Sequence, residues 1–453
     1  MLKLAESIPW SVLYGLDVLA VVLFGISYYF DCYRKGYKID FWHAQLFFAC
    51  ILPNMLLLPF AKNDLNVIVL GREDLEAVVV VLPAIFMITL LGYFAFLVGG
   101  IVWRLQLGVG ARKTAIQVLA IVPRCSLMLM SSKSVLVLQT LACFSLQVLI
   151  LSVYFSQRGF AFDLRSFTLA NPSWRPVALL ASNYSVIIAS HCLARYIDKK
   201  ERILLACTLL LTFGLLFFGA RSNLLSIYFG VFLCFLVKLR GRISLFRIVS
   251  VMAVIVTAGF YLGGLRSGQY SPTEFFASFA FLILYGNTFS DLRDFAWIYS
   301  AWDHISWAGR TYLAALMSFV PRVISPFRDT WSLGVVTASM VGFDPQQHPG
   351  LRPGAFGEAF FNFGLFGVLA VGLMLGIVAR RVDIDVKRAF APPRPSMMKA
   401  FASTMLIGVA GYISVSSGFS GLYVLGAIYL FSWFCLSVEK MFRSHSNPVD
   451  HAP

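Results

Sequence analysis

The sequence predicts an all-α, polytopic membrane helix bundle of about 11 to 12 crossings with one large helical loop outside it. Three observations carry this. Of 453 residues, 59% are hydrophobic and only 13% are charged. The mean hydropathy is +0.78. Apolar runs of roughly 17 to 24 residues, the length that spans a bilayer as a helix, recur along the chain.

In order, the runs fall at 8–30, 41–60, 78–103, 134–155, 176–195, 203–220, 223–238, 248–264, 358–379, 399–417 and 421–438. The first has no small-residue cleavage site ahead of a soluble domain and is expected to be retained as a helix. The segment 104–133, RLQLGVGARKTAIQVLAIVPRCSLMLMSSK, is broken by glycines, Pro123 and Arg124. It reads as an interfacial or re-entrant element. The organisation expected is an N-terminal bundle over 1–264, an external loop with amphipathic helices over 265–357, and C-terminal crossings with a short tail over 358–453.

Basic residues orient the bundle. The loops at 31–40, 104–133, 195–202, 238–247 and 380–399, with the C-terminal tail, hold most of the 37 Lys and Arg. Short loops rich in Lys and Arg stay on the cytoplasmic side, so the 265–357 loop faces outward. The formal charge of +15 is thereby accounted for, and no basic soluble module exists that would bind nucleic acid. The eight cysteines lie in apolar spans or on the cytoplasmic side, with neither a disulfide framework nor a metal-ligand spacing.

An external loop of this length is expected to be structured. Within it, Arg293, Trp297, Ser300 and His304 recur at helical spacing after a possible cap at Ser290, which predicts an amphipathic helix lying on the outer surface as a roof. Tryptophan faces suit sugar rings, and guanidinium groups grip phosphate oxygens in pairs. Trp297, Trp302 and Trp307 equally suit interfacial anchoring. Arg221 stands at a short external turn before a span barely long enough to cross, which favours a cavity-lining position. The stretch LRPGAFGEAFFNFG places Arg352, Glu358 and Asn362 at the start of an apolar run, where polar groups are costly unless paired or used. Asp17, His191 and Arg195 are the other polar residues expected inside spans.

Three segments, GARSNLL, GRTYLAALMSFVPRVISPF at 309–327 and GAFGEAFFNFGLFGVLAVG at 354–372, resemble in that order patterns of the Wzy-type oligosaccharide repeat-unit polymerases, or O-antigen polymerases. The resemblance covers roughly 215–375. The R-x10-G spacing of some members is absent. The resemblance implies a metal-independent glycosyltransferase of the bacterial inner membrane with its active site facing the periplasm. It would use no cofactor, and would move a glycan from its polyprenyl diphosphate to a hydroxyl of an incoming lipid-linked unit. Implied partners are the lipid-linked oligosaccharide, the bilayer, a chain-length regulator and a flippase. Arg221, Arg266, Arg293, Arg310, Arg322 and Arg352, with Asn362 and Trp297, become candidates for holding diphosphate and glycan. Glu358 is the first candidate for the base, with His304, Asp294 and His348 as rivals. The neighbouring classes are a lipid-linked glycan ligase and, further off, a flippase or transporter.

Overall fold

The computed structural model describes residues 8–56, 72–105, 109–159, 171–218, 221–266, 291–320, 324–345 and 350–446, with isolated positions between them. Most of these residues are helical, and no strand occurs among them. Among the described residues eight helices are long and apolar enough to cross a membrane, and four shorter apolar helices accompany them. The chain is a polytopic all-α membrane protein.

In chain order the helices are α1 (Trp10–Asp31), α2 (Phe41–Leu46), α3 (Arg72–Arg104), α4 (Val109–Leu119), α5 (Ile121–Leu129), α6 (Lys133–Arg158), α7 (Arg175–Lys199), α8 (Arg202–Phe218), α9 (Arg221–Leu239) and α10 (Leu245–Arg266). They continue as α11 (Asp291–Ser300), α12 (Arg310–Leu316), α13 (Pro326–Trp331), α14 (Leu333–Met340), α15 (Gly354–Ala389), α16 (Met397–Ser414) and α17 (Phe419–Ser446). Each of the eleven expected runs coincides with one of these. The helix begun by α2 widens to π-type hydrogen bonding over Phe47–Leu56, where Pro53 interrupts the amide ladder. The 104–133 segment holds two short helices, α4 and α5. Ser132 then caps the next crossing, accepting from the Val135 amide at 3.4 Å.

Compactness divides the chain differently from the sequential division at 264 and 357. One unit comprises Met1–Val109, Leu239–Ile384 and Ile407–Phe419; the other comprises Gly110–Lys238, Asp385–Leu406 and Ser420–Pro453.

In the first unit α3 and α15 run side by side on small residues. Gly372 lies against the Gly92 carbonyl, Gly376 against that of Phe96, and Gly99 against that of Leu373. In an apolar solvent helices gain nothing by hiding apolar surface, so close backbone approach supplies the contact. The ends assigned to the cytoplasmic side by charge do meet: Asp31 accepts from Lys35 at 2.8 Å, Arg104 at 3.0 Å and Arg380 at 3.3 Å.

The second unit is held by polar ties between apolar helices. Gln147 Nε2 donates to Ser185 Oγ at 2.7 Å and to the Leu211 carbonyl at 3.2 Å. Gln139 donates to Ser432 at 2.9 Å, and His191 bonds Ser126 at 2.8 Å. At one end Arg195 pairs with Glu201 and donates to the Met130 carbonyl, while Asp198 accepts the Met397 and Met398 amides. His191 and Arg195 are thus helix-to-helix ties.

Candidate functional site

The helix α11 of the first unit does not lie on its surface. In α11 the residues Leu292, Phe295, Ala296, Ile298 and Tyr299 are all buried, and the helix packs on α3. The amphipathic roof expected from the spacing is therefore an inserted helix, and it stops at Ser300, short of His304. Trp297 (8% exposed) packs edge-on to Phe343, and Trp307 (2% exposed) stacks on Phe361. Neither is an interfacial anchor.

The expected crossing at 358–379 is also not one rod. At Gly364 the backbone turns out of helical geometry, with φ 61 and ψ −152. There Gly367 meets the Ala359 carbonyl, from which a straight helix would hold it about 12 Å away. Phe356 and Gly372 both contact Gly92. The first turns of α15 thus fold back beside its long remainder. The short arm's end carbonyls find partners in the preceding loop: Trp307 donates its amide to Phe361 O at 2.9 Å, and Ser306 Oγ donates to Asn362 O at 2.9 Å.

Two polar clusters result. In the first, Glu358 is fully buried. One of its oxygens accepts from Thr311 Oγ1 at 2.7 Å and the other from the Ser416 amide at 2.9 Å. Asn362 (1% exposed) donates from Nδ2 to Thr311 Oγ1 at 2.8 Å, and its own Oδ1 has no partner. Tyr312 donates to the Ser414 carbonyl at 3.1 Å beside this cluster; burial, reinforced by Glu358, pushes its phenol pKa up.

The second cluster centres on Asp294 (4% exposed). Its Oδ1 takes the Arg293 guanidinium at 2.6 Å, and its Oδ2 accepts the Arg352 backbone N–H at 3.2 Å. Arg352 is exposed. One turn before Asp294, the Asp291 carboxylate lies against Gly354, where a Cβ would come within 2.9 Å of Asp291 Oδ2. Burial lifts the Asp291 pKa to about 6; repulsion from Asp294 adds to this and the Arg352 charge opposes it.

Asp291 opens onto a cavity of about 340 Å³ within this unit. Phe48 and Ala49, Thr89 and Phe96 of α3, Phe356, Leu375 and Ala379 of α15, and Ile407 and Ala410 of α16 form its walls. The lining is apolar apart from Asp291, Gln45, Thr89 and Ser414.

Of the residues singled out in the sequence, Arg293, Asp294 and Arg352 come together, as do Glu358 and Asn362. Glu358 and Arg352 are not ion-paired with each other among the described residues, and neither side chain lines the cavity. Arg310 is exposed and lies over Trp331 at 4.5 Å. His304 is exposed, with φ 62, and packs edge-on to Tyr299 and Trp302. Arg322, His348 and Ser290 lie outside the described residues, as do the side chains of Arg221 and Arg266. Thr311 and Asp291 escaped sequence reading. A lone acid at a helix start and a threonine in an apolar turn carry no pattern.

For a metal, one group among the described residues has suitable donors: Cys32, Asp40 and His43, with ligand atoms within 4.8 Å of one another. Its atoms are already engaged. His43 bonds Asp40 at 2.8 Å and Ser27 at 3.1 Å, and Cys32 donates to the Tyr37 carbonyl at 3.6 Å. In comparisons with protein families, curated proteins and solved structures, nothing matches this chain.

Proposed function

We propose that this chain is a membrane glycosyltransferase that polymerises polyprenyl-diphosphate-linked oligosaccharide repeat units at the periplasmic side of a bacterial inner membrane. The observation that carries the reading is the meeting of Arg293 and Arg352 at Asp294, next to a carboxylate that opens onto an apolar cavity. The substrate has the same division: a charged diphosphate and polar sugars joined to a long hydrocarbon. Arginines near a departing diphosphate favour the transition state as its charge develops. In this reading Arg352, whose guanidinium is exposed, meets the diphosphate, while Arg293 holds Asp294 and the loop start at Arg352 in place. The motif resemblance over roughly 215–375 supports the same class.

The test is reconstitution of the purified chain in phospholipid vesicles with the lipid-linked unit extracted from the producing cells, and no other acceptor. A ladder of polymer lengths is expected. Product appearing only when a lipid A core or a protein acceptor is added would assign the chain to the ligases instead. Movement of the unit across the vesicle wall without growth would make it a transporter. Arg352→Ala is expected to lower the polymerisation rate by about 10²- to 10³-fold, the loss typical of one removed transition-state donor. Lys at this position should recover little, because an ammonium lacks the planar fork.

A further inference from the structure

We propose that Asp291, and not Glu358, Asp294 or His304, takes the proton from the acceptor hydroxyl, an assignment that rests on the polymerase reading above. A general base must reach its substrate before anything else about it matters. Among the described residues Asp291 is the one carboxylate on the cavity wall, and none of them donates a hydrogen bond to it. Gly354 beside it has no side chain to block an approaching sugar, and the strained φ there excludes one.

The rivals are placed otherwise. Glu358 is closed off, with both oxygens held by Thr311 and Ser416. Asp294 is held by the Arg293 guanidinium and the Arg352 amide. His304 lies past the end of α11, exposed and outside the cavity lining.

The step balances without a cofactor. The acceptor O–H proton passes to an Asp291 oxygen as the hydroxyl oxygen bonds to the donor's anomeric carbon. The bond from that carbon to the diphosphate oxygen breaks, and polyprenyl diphosphate leaves with the electron pair. Asp291 then releases its proton to water.

Among the described residues the charged groups acting on Asp291 are Asp294 on its own helix, which the Arg293 guanidinium holds, and Arg352 on the loop before α15. The helices α2, α3, α15 and α16 contribute no ionisable residue to the cavity wall. A carboxylate titrating near pH 6 is charged at neutral pH and still basic enough to accept a proton. Polymerisation should therefore rise with pH through about 6 and level off above it.

The experiment uses the full chain in vesicles with the extracted lipid-linked unit, comparing wild type, Asp291→Asn and Asp291→Ala. Asp291→Asn is expected to lose about 10²- to 10⁴-fold in turnover with little change in KM. Adding sodium formate to Asp291→Ala should restore activity at least several-fold, because a small carboxylate can enter the vacated space; a purely structural aspartate would give no such rescue. Should Asp291→Asn keep more than about a tenth of wild-type turnover, or formate leave a folded Asp291→Ala inert, the assignment fails while the polymerase reading stands. A wild-type chain that builds no polymer overturns both.

Discussion

Glu358 and Asp291 are both acids near the start of α15, and burial treats them differently. Glu358 has an acceptor role at each oxygen, so removing it leaves the Ser416 amide and the Thr311 hydroxyl buried without partners. Glu358→Ala is expected to destabilise by about 1–3 kcal/mol for each of those donors. Gln, which keeps one acceptor, should lose less; thermal unfolding in detergent measures both. Turnover per folded molecule should fall less in Glu358→Gln than in Asp291→Asn, and the reverse order would return the base role to Glu358.

Asp291 should show the opposite stability effect. Its folded-state pKa is about 6 against an ordinary 3.8, so the fold prefers the protonated carboxyl. The stability this contributes is complete below 3.8 and is lost as pH rises through about 6. Asp291→Asn is neutral at every pH and should raise the melting temperature at pH 7.5, by up to about 3 kcal/mol in free energy, but not at pH 4.

At the scale of elements, the part of the first unit around α11 and α15 depends on one bend and one seam. Gly364 adopts a conformation open essentially to glycine alone, and a Cβ there would meet no other atom within 4 Å. Gly364→Ala therefore tests backbone strain without steric clash. A loss of the order of 1–3 kcal/mol is expected, together with loosening of the short arm that carries Glu358 and Asn362. Along the α3–α15 seam a Cβ on Gly372 would lie 2.6 Å from the Gly92 carbonyl, whereas one on Gly408 in α16 would touch nothing. Gly372→Ala and Gly376→Ala should lower thermal stability sharply and Gly408→Ala hardly at all. Equal effects at the three sites would show that close approach of α3 and α15 is not what holds them.

For the whole molecule, topology is the decisive quantity. Ile305 and Arg394 are both exposed, the first in the loop between α11 and α12 and the second in the loop rich in Lys and Arg. In a background lacking Cys125 and Cys435, the two partly exposed native thiols, Ile305→Cys should react with a membrane-impermeant maleimide in spheroplasts and Arg394→Cys only after lysis. The opposite pattern would place the Asp291 cavity on the cytoplasmic side and remove the periplasmic polymerase from consideration.

The polytopic helical bundle follows from hydropathy alone, because a bilayer admits few alternatives to a helix of fixed length, and the eight described helices long and apolar enough to cross all fall on apolar runs of the sequence. The Lys- and Arg-rich ends expected to share one side of the membrane do so at three points, where Arg104 and Arg380 meet Asp31. Two things were decided only by tertiary structure. One is the bend at Gly364, since a glycine inside an apolar run looks the same in a straight helix and a folded one. The other is the environment of each acid. Sequence ranks Glu358 first for its place at a membrane boundary, but whether a carboxylate is closed off by donors or left open to a cavity depends on Thr311, Ser416 and Ile407, which are distant in the chain. Desolvation and hydrogen bonding act through space, so the pattern of neighbours along the sequence could not separate Glu358 from Asp291.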